Sequence, residues 1–510
     1  MRAALSTTEN SASATRSRTL RNGFYSASAW LVPLALSFVV TPVIVRRMGN
    51  DIYGLYGLIV GFINYSFAFG IGRVASKYVA EYRAAGEPHK IKESVSAAFW
   101  ISIAIAVAGS LLVAIFAGRI VDDVLAIPAA MRAETVTALY LACGAIGVTM
   151  AGQVFQYAIQ GAHRFDRNLV LTNANAVLLN LGTLGFVVAG FGVAALVGWN
   201  LAAATIASLL FYLSAKRLVP GIRIVTRISR ESWSGVSKYA ASIVVYQIFG
   251  NLIVIVERVW ITREYGTEAV TFYIVPMLLG IYLHGFVSSL VLALFPVVNE
   301  LLSERDRLVV IYQKATRLIA AIVVFAAAAA VVGGEMFLSL WLGADFARRS
   351  HDVLILHSLS FAVLAMFTLV WQITESFRQA KINSVMMFLW FIITVPMIFL
   401  MPVEWGIDGI AAARLAGIAA LVPMIFWVEH RFLGKVFVGF WAAAAARLAL
   451  AGGVAAAVLW LAMRSFPASW LTLIASCAAA GVAYLAVLAA AGYIDADDRR
   501  LLRAFAARRS

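Results

Sequence analysis

Apolar runs of about twenty residues, separated by short polar connections, recur along almost the whole chain. A helix needs about that length to cross roughly 30 Å of hydrocarbon. The runs lie near 24–45, 53–72, 95–118, 134–158, 169–190, 193–215, 238–262, 269–297, 314–333, 353–376, 383–402, 406–428, 441–463 and 469–492. This pattern predicts an all-α polytopic membrane protein of about fourteen transmembrane helices.

The charged residues between the runs give the pattern a direction. With the N-terminus inside, 31 of the 41 Lys and Arg fall in or nearest the cytoplasmic segments, as the positive-inside bias requires. That set includes Arg16, Arg73, Lys77, Lys92, Lys216, Arg223 and the tail from Arg499 to Arg509. Both termini are therefore expected on the cytoplasmic side of a bacterial inner membrane, with no cleaved signal peptide in the polar, Arg-containing N-terminal stretch. The outer segments near Arg119 to Glu134 and Glu335 to Asp352 are modest, so no soluble catalytic domain is expected on either face.

Composition agrees with lipid as the solvent. Residues AVILMFWYC make up 62% and DEKR 13%, against roughly 45–50% and 25% in soluble domains. The net charge of +15 lies between apolar runs and not on a folded basic face, which argues against nucleic acid as a partner. Cys143 and Cys477 both sit in apolar stretches, where packing is expected and a disulfide or metal site is not. No cofactor is expected.

The chain repeats itself at a spacing of roughly 215 residues. RRMGNDIYGLY (46–56) aligns with REYGTEAVTFY (263–273), pairing Arg46 with Arg263 and Gly49 with Gly266. IQGAHRFDR (159–167) aligns with ITESFRQAK (373–381), pairing Arg164 with Arg378. Six helices per copy is an even number, so the copies enter the membrane in the same direction as parallel repeats. The expected organisation is a tail 1–23, an N-lobe 24–217, a linker 218–237, a C-lobe 238–430, two further helices within 431–492 and a tail 493–510.

Polar residues inside spans are the candidate chemistry, because burying them in lipid costs a few kcal/mol each. Arg414 lies about eight residues, or roughly 12 Å, from the outer end of its helix, and its repeat mate is Asn200. Gln247, Asn251 and Arg258 are spaced by four and seven and share one face of the seventh span. Trp30, Ser37 and Thr41 share a face of the first span, to which the repeat maps that stretch. The candidate substrate-binding set is Arg414, Arg258, Asn251, Gln247, Trp30, Thr41, Arg46 and Asn200. Glu257 and His284 are the candidates for ion coupling. For Arg258 and Glu257 a second reading stays open, in which both reach the outer headgroups. Gln153, Gln156 and Gln160 form a stripe suited to holding helices together. An arginine suits a phosphate or diphosphate because its planar fork donates paired hydrogen bonds and keeps its charge.

The segments TPVIVRRMGNDIYGLYGL, YAIQGAHRFDRNLV and GIDGIAAARLAG resemble the polysaccharide-biosynthesis flippases, the O-antigen type of the multidrug/oligosaccharidyl-lipid/polysaccharide exporter superfamily. The resemblance covers nearly the whole chain. It implies a V-shaped pair of six-helix lobes that alternates between inward-open and outward-open states, around a cavity for the diphosphate of a polyprenyl-linked glycan. It also implies that the last two helices accommodate a lipid tail, and that the partners are membrane lipid, this glycan substrate and the polysaccharide polymerase and ligase machinery. Family members often carry an acidic residue in the seventh span; here Glu257 is followed directly by Arg258. A non-enzymatic flippase is thus the leading expectation. A drug or small-cation antiporter of the same superfamily and a membrane-embedded glycan polymerase are the alternatives.

Overall fold

A computed structural model describes residues 31–65 and 71–493. Among them there is no strand; the elements are α1 (Leu31–Met48), α2 (Asn50–Tyr65), α3 (Gly72–Ala84), α4 (Pro88–Arg119), α5 (Ala129–Gly161), α6 (Phe165–Val188), α7 (Val193–Leu218), α8 (Arg230–Glu300), α9 (Arg305–Leu342), α10 (Ala344–Ser376), α11 (Ala380–Leu400), α12 (Gly406–Ala419), α13 (Val422–Val428), α14 (Val438–Ser465) and α15 (Trp470–Ala490). Eleven stretches of the described residues are long and apolar enough to cross a bilayer. One of them contains Gly266 at φ 82°, ψ 174°, so α8 is two helices meeting at that glycine. The predicted fourteen also needs the short α1 and α2, of 18 and 16 residues, to span. Lipid as solvent explains the outer surface: Leu471 is 78% and Leu400 77% exposed, positions that water would penalise when they recur along whole helices.

The chain is expected to be a bare connection between the second and third runs, but α3 occupies part of it. Its Val74, Ala75 and Val79 are buried while Arg73, Lys77 and Arg83 are polar. A mean hydropathy too low for a span, on a helix with one apolar face, is what hides such an element from a search for apolar runs.

Backbone proximity groups the described chain into two compact units, residues 31–274 with 381–413, and residues 275–380 with 414–493. In the first, α5 packs along α3, α4 and α7 around Val95, Ala98, Val154, Ala158, Ile159 and Val197. Small residues allow the close approach: a Cβ on Gly152 would overlap the Ser208 hydroxyl, which itself donates to Val148 O at 3.0 Å. In the second, α9 packs on α10 and on the α14–α15 pair, with Ala451, Ala455, Leu459 and Ala480 fully buried and Tyr484 Oη donating to Ala321 O at 2.9 Å.

Turn geometry carries the repeat down to the backbone. After α5, the amides of Ala162, His163 and Arg164 donate to the carbonyls of Ala158, Gln160 and Ile159, and after α10 those of Phe377, Arg378 and Gln379 donate to Ile373, Glu375 and Thr374. Each pair differs by 215 positions. His163 and Arg378 both take positive φ, 59° and 58°. The structural match therefore sets Arg378 on His163, one residue from the alignment that pairs it with Arg164. Gly49 and Gly266, paired by sequence, also agree, at φ 80° and 82°.

Glu429 holds the second unit together at the junction of α13 and α14. It is fully buried, on a π-helical turn spanning Glu429–Leu433. Its carboxylate accepts from Tyr312 Oη at 2.9 Å, Trp441 Nε1 at 2.7 Å and the Phe437 amide at 3.1 Å. Replacing Glu429 by alanine leaves three buried donors unsatisfied, at about 1–3 kcal/mol each. We expect the Glu429→Ala protein in detergent to melt well below the wild type, while Tyr312→Phe, which removes one donor only, shifts it far less. Equal melting of all three proteins would remove this assignment.

Candidate functional site

The candidate residues fall into two groups, one in each unit. In the first unit, the half of α8 before Gly266 carries Gln247, Asn251 and Arg258. Arg258 is 8% exposed; its Nη1 donates to Gly57 O at 2.7 Å, and its guanidinium carbon lies 5.3 Å from the centroid of the Tyr65 ring. Gly61 makes room for it, since a Cβ there would overlap Nη1. Of the two readings of Arg258 left open by the sequence, burial against α2 favours an inward-facing side chain. Glu257, its neighbour, is fully buried.

Gln247 Oε1, Asn251 Nδ2 and Arg258 Nε are buried atoms that have no hydrogen-bond partner among the described residues. An unpaired polar atom in an apolar setting costs on the order of 1–3 kcal/mol. Three of them on residues that share one helical face are together a prepared surface for something polar, be it water or cargo.

Elsewhere in the same unit, though not foreseen, α6 shows the same signature. Asn168, Asn173 and Asn175 each bury a carboxamide oxygen with no partner among the described residues. Asn168 and Asn175 are seven apart and share a face. The signal was visible in NLVLTNANAVLLN; a search for charges in spans passes over it because asparagine carries none. Gln156 Nε2 donates to Thr172 Oγ1 at 3.3 Å, joining α5 to α6 as a helix-holding residue should.

The remaining candidates of this unit are placed individually. Thr41 is buried, with its hydroxyl 3.3 Å from that of Ser37. Arg46 is exposed in the last turn of α1. Asn200 is buried, and its amide donates to Tyr56 Oη at 3.0 Å and to Leu196 O at 2.8 Å, a junction between α7 and α2. Trp30 lies outside the described residues.

In the second unit, Arg414 begins that unit's share of α12 and is 3% exposed. Its guanidinium carbon lies 5.3 Å from the centroid of the Phe361 ring. The His284 and His357 rings each lie 6.3 Å from the same ring. His284 Nε2 is 3.4 Å from Ser288 Oγ and 3.5 Å from Thr368 Oγ1. The sequence drew attention to Arg414 and His284; Phe361 and His357 join them only through the packing of α10. A guanidinium held over an aromatic face is fixed in orientation and presents a planar fork of donors. No group of three His, Cys, Asp or Glu able to hold a metal occurs among the described residues.

Comparison with known proteins places this arrangement. Residues 19–302 match the model of the family described as polysaccharide biosynthesis protein. No curated protein matches the sequence significantly. Among solved structures, the lipid II flippase MurJ in an inward closed conformation superposes with a TM-score of 0.69 at 12% identity, covering 93% of this chain and 99% of that one. An inward-facing multidrug resistance MATE transporter of the MOP superfamily gives 0.60 at 13%, covering 81% and 94%. A MOP superfamily transporter from Pyrococcus furiosus, described as having a binding pocket of reversed polarity, gives 0.60 at 14%, covering 82% and 97%. At such identities the likeness concerns the fold. With the family model matching more than half of the sequence, the chain belongs to the polysaccharide biosynthesis protein family and has the multi-pass membrane fold of the MOP superfamily transporters.

Proposed function

We propose that this protein is an alternating-access flippase that moves a polyprenyl-diphosphate-linked oligosaccharide across the bacterial inner membrane for surface polysaccharide assembly. In this reading both termini are cytoplasmic, residues 24–217 and 238–430 form the two lobes, and residues 431–492 add the last helix pair. The observation that carries it is the burial of two guanidinium groups, Arg258 and Arg414, within apolar spans. Lipid tolerates such groups where they meet an anion, and a phosphate offers paired acceptors to a guanidinium fork. The unpaired atoms of Gln247 and Asn251 on the Arg258 face suit the hydroxyls of a sugar. Family membership supports the same cargo class, and the fold is shared with a protein described as a lipid II flippase.

Deleting the gene is expected to leave lipid-linked repeat units on the inner leaflet and to remove surface glycan, with both restored by the wild-type gene. Repeat units reaching the outer leaflet at normal rates in the deletion strain would overturn the proposal. A second reading, an ion-coupled antiporter, is favoured by the fully buried Glu257 and the MATE-like fold. It predicts that Glu257→Gln stops transport while Arg414→Ala does not, the reverse of what an anion carrier requires.

A further inference from the structure

At the end of the first unit where α4 begins and α7 finishes lies a cavity of about 470 Å³, walled by His89 and Lys92 of α4, Lys216 of α7, and Gly221 and Arg223 of the strand-like segment that follows. The wall is built and not incidental. Ser96 Oγ donates to Arg223 O at 3.1 Å and accepts from the Val225 amide at 2.9 Å, while Trp100 Nε1 donates to Val225 O at 2.9 Å. These bonds strap residues 223–225 along α4. Ile222 is buried beneath the strap. Gly221 takes φ +87°, and a Cβ there would lie 2.9 Å from Pro88 O, so the segment presses against the first turn of α4 as closely as a backbone can.

Two lysines, an arginine and an imidazole thus line one small space. The acidic residues nearest in sequence are engaged elsewhere: Glu87 pairs with Lys90 at 2.9 Å, and Glu93 Oε2 accepts from Ser229 Oγ and from Ser232 Oγ at 2.8 Å. No acidic side chain pairs with Lys92, Lys216 or Arg223 among the described residues. Like charges converging without a counter-ion repel one another, and an anion that enters relieves the repulsion. A singly charged carboxylate or chloride would meet only part of this field; a phosphate group, with several acceptor oxygens, can meet all three cations at once. Trp100 stands two turns further along α4, about 12 Å deeper, where tryptophan marks the membrane boundary. The cavity is then at headgroup level, open to lipid phosphates and to dissolved ones.

We propose that the cavity lined by Lys92, Lys216, Arg223 and His89 is a binding site for a phosphate-bearing anion, supplied by an anionic lipid headgroup or by a soluble phosphate compound. The site is separate from the Arg258 and Arg414 groups and does not depend on the flippase reading.

The test uses full-length protein in phosphatidylcholine nanodiscs, with pyrophosphate binding measured by calorimetry. In parallel, native mass spectrometry counts phosphatidylglycerol retained from mixed micelles. The cavity variant combines Lys92→Gln, Lys216→Gln and Arg223→Gln; a control combining Arg217→Gln, Arg227→Gln and Arg230→Gln removes the same charge nearby. Binding at least tenfold weaker in the cavity variant, and within twofold of wild type in the control, supports the site. Loss of pyrophosphate binding assigns a soluble ligand, and loss of retained phosphatidylglycerol alone assigns a lipid. Should the triple variant not fold, Lys216→Gln alone is expected to weaken binding about threefold. Wild-type protein that takes up neither probe, or equal losses in the cavity and control variants, overturns the proposal.

Discussion

Arg414→Ala is expected to abolish export of the lipid-linked glycan while leaving the protein folded in the membrane. The guanidinium sits buried over Phe361, and in the proposed cycle its fork holds one phosphate of the cargo. Hydrogen bonds to a charged group contribute about 1.5–3 kcal/mol each. Losing a bidentate pair then weakens binding by roughly 100-fold or more. Arg414 also has a contact within the protein, so the amount of folded protein separates loss of the cargo contact from loss of the fold. Arg414→Lys keeps the charge without the fork and should fall between wild type and alanine. Surface glycan, inner-leaflet repeat units and the amount of folded protein are measured together for the three. Normal export with Arg414→Ala would leave the anion-carrier proposal without its central contact.

How much of this was legible beforehand follows from which signals survive in one dimension. Spans are legible because lipid demands about twenty apolar residues in a row, and the eleven that qualify fall where the runs predict. Arg414 and Arg258 stand out because a charge inside such a run is rare. The repeat is legible at RRMGNDIYGLY and REYGTEAVTFY, where Gly49 and Gly266 take the same positive φ, since only glycine adopts it freely. What stayed hidden depends on contacts between distant segments. Glu429 sits one residue beyond a predicted span, and nothing near it in sequence announces that Tyr312 and Trp441 close around it. The α6 asparagines, being neutral, resemble polar helix-helix glue until the packing leaves their oxygens unpaired. Asn200, polar, in a span and matched to Arg414 by the repeat, is bonded to Tyr56 and to its own helix, contacts that the sequence does not show.

Gly54→Ala should be among the most destabilising single-methyl additions in the molecule. In α2, Gly54, Gly57 and Gly61 face the helix pair of α8, and each would meet something different on gaining a Cβ. At Gly57 the obstacle is the Cδ1 of Ile274, the end of a flexible side chain, and at Gly61 it is the Arg258 guanidinium. At Gly54 it is the Thr267 carbonyl oxygen, with Thr271 Oγ1 at 2.9 Å. A carbonyl cannot swing aside, so the helices must part. Parting them strains the bonds that stitch this seam: Thr271 Oγ1 to Asn50 O at 2.6 Å, Thr267 Oγ1 to Asp51 Oδ1 at 3.2 Å and Asn50 Nδ2 to Glu268 Oε1 at 3.4 Å. Overpacking costs about 1–3 kcal/mol and each of the three lost bonds about 1 kcal/mol more, for a total of roughly 4–6 kcal/mol. For a chain of this size that lowers the melting temperature by roughly 4–6 °C. Gly57→Ala should shift it by about a third as much, since the Ile274 side chain can take another rotamer. Gly185→Ala, in α6 with nothing within 4 Å of the added methyl, should be neutral or slightly stabilising because alanine is the better helix former. Thermal melting of the three purified variants in one detergent gives the order directly. If Gly54→Ala melts with Gly185→Ala, α2 and α8 are not in backbone contact at Thr267, and the packing that places Arg258 against Gly57 goes with it.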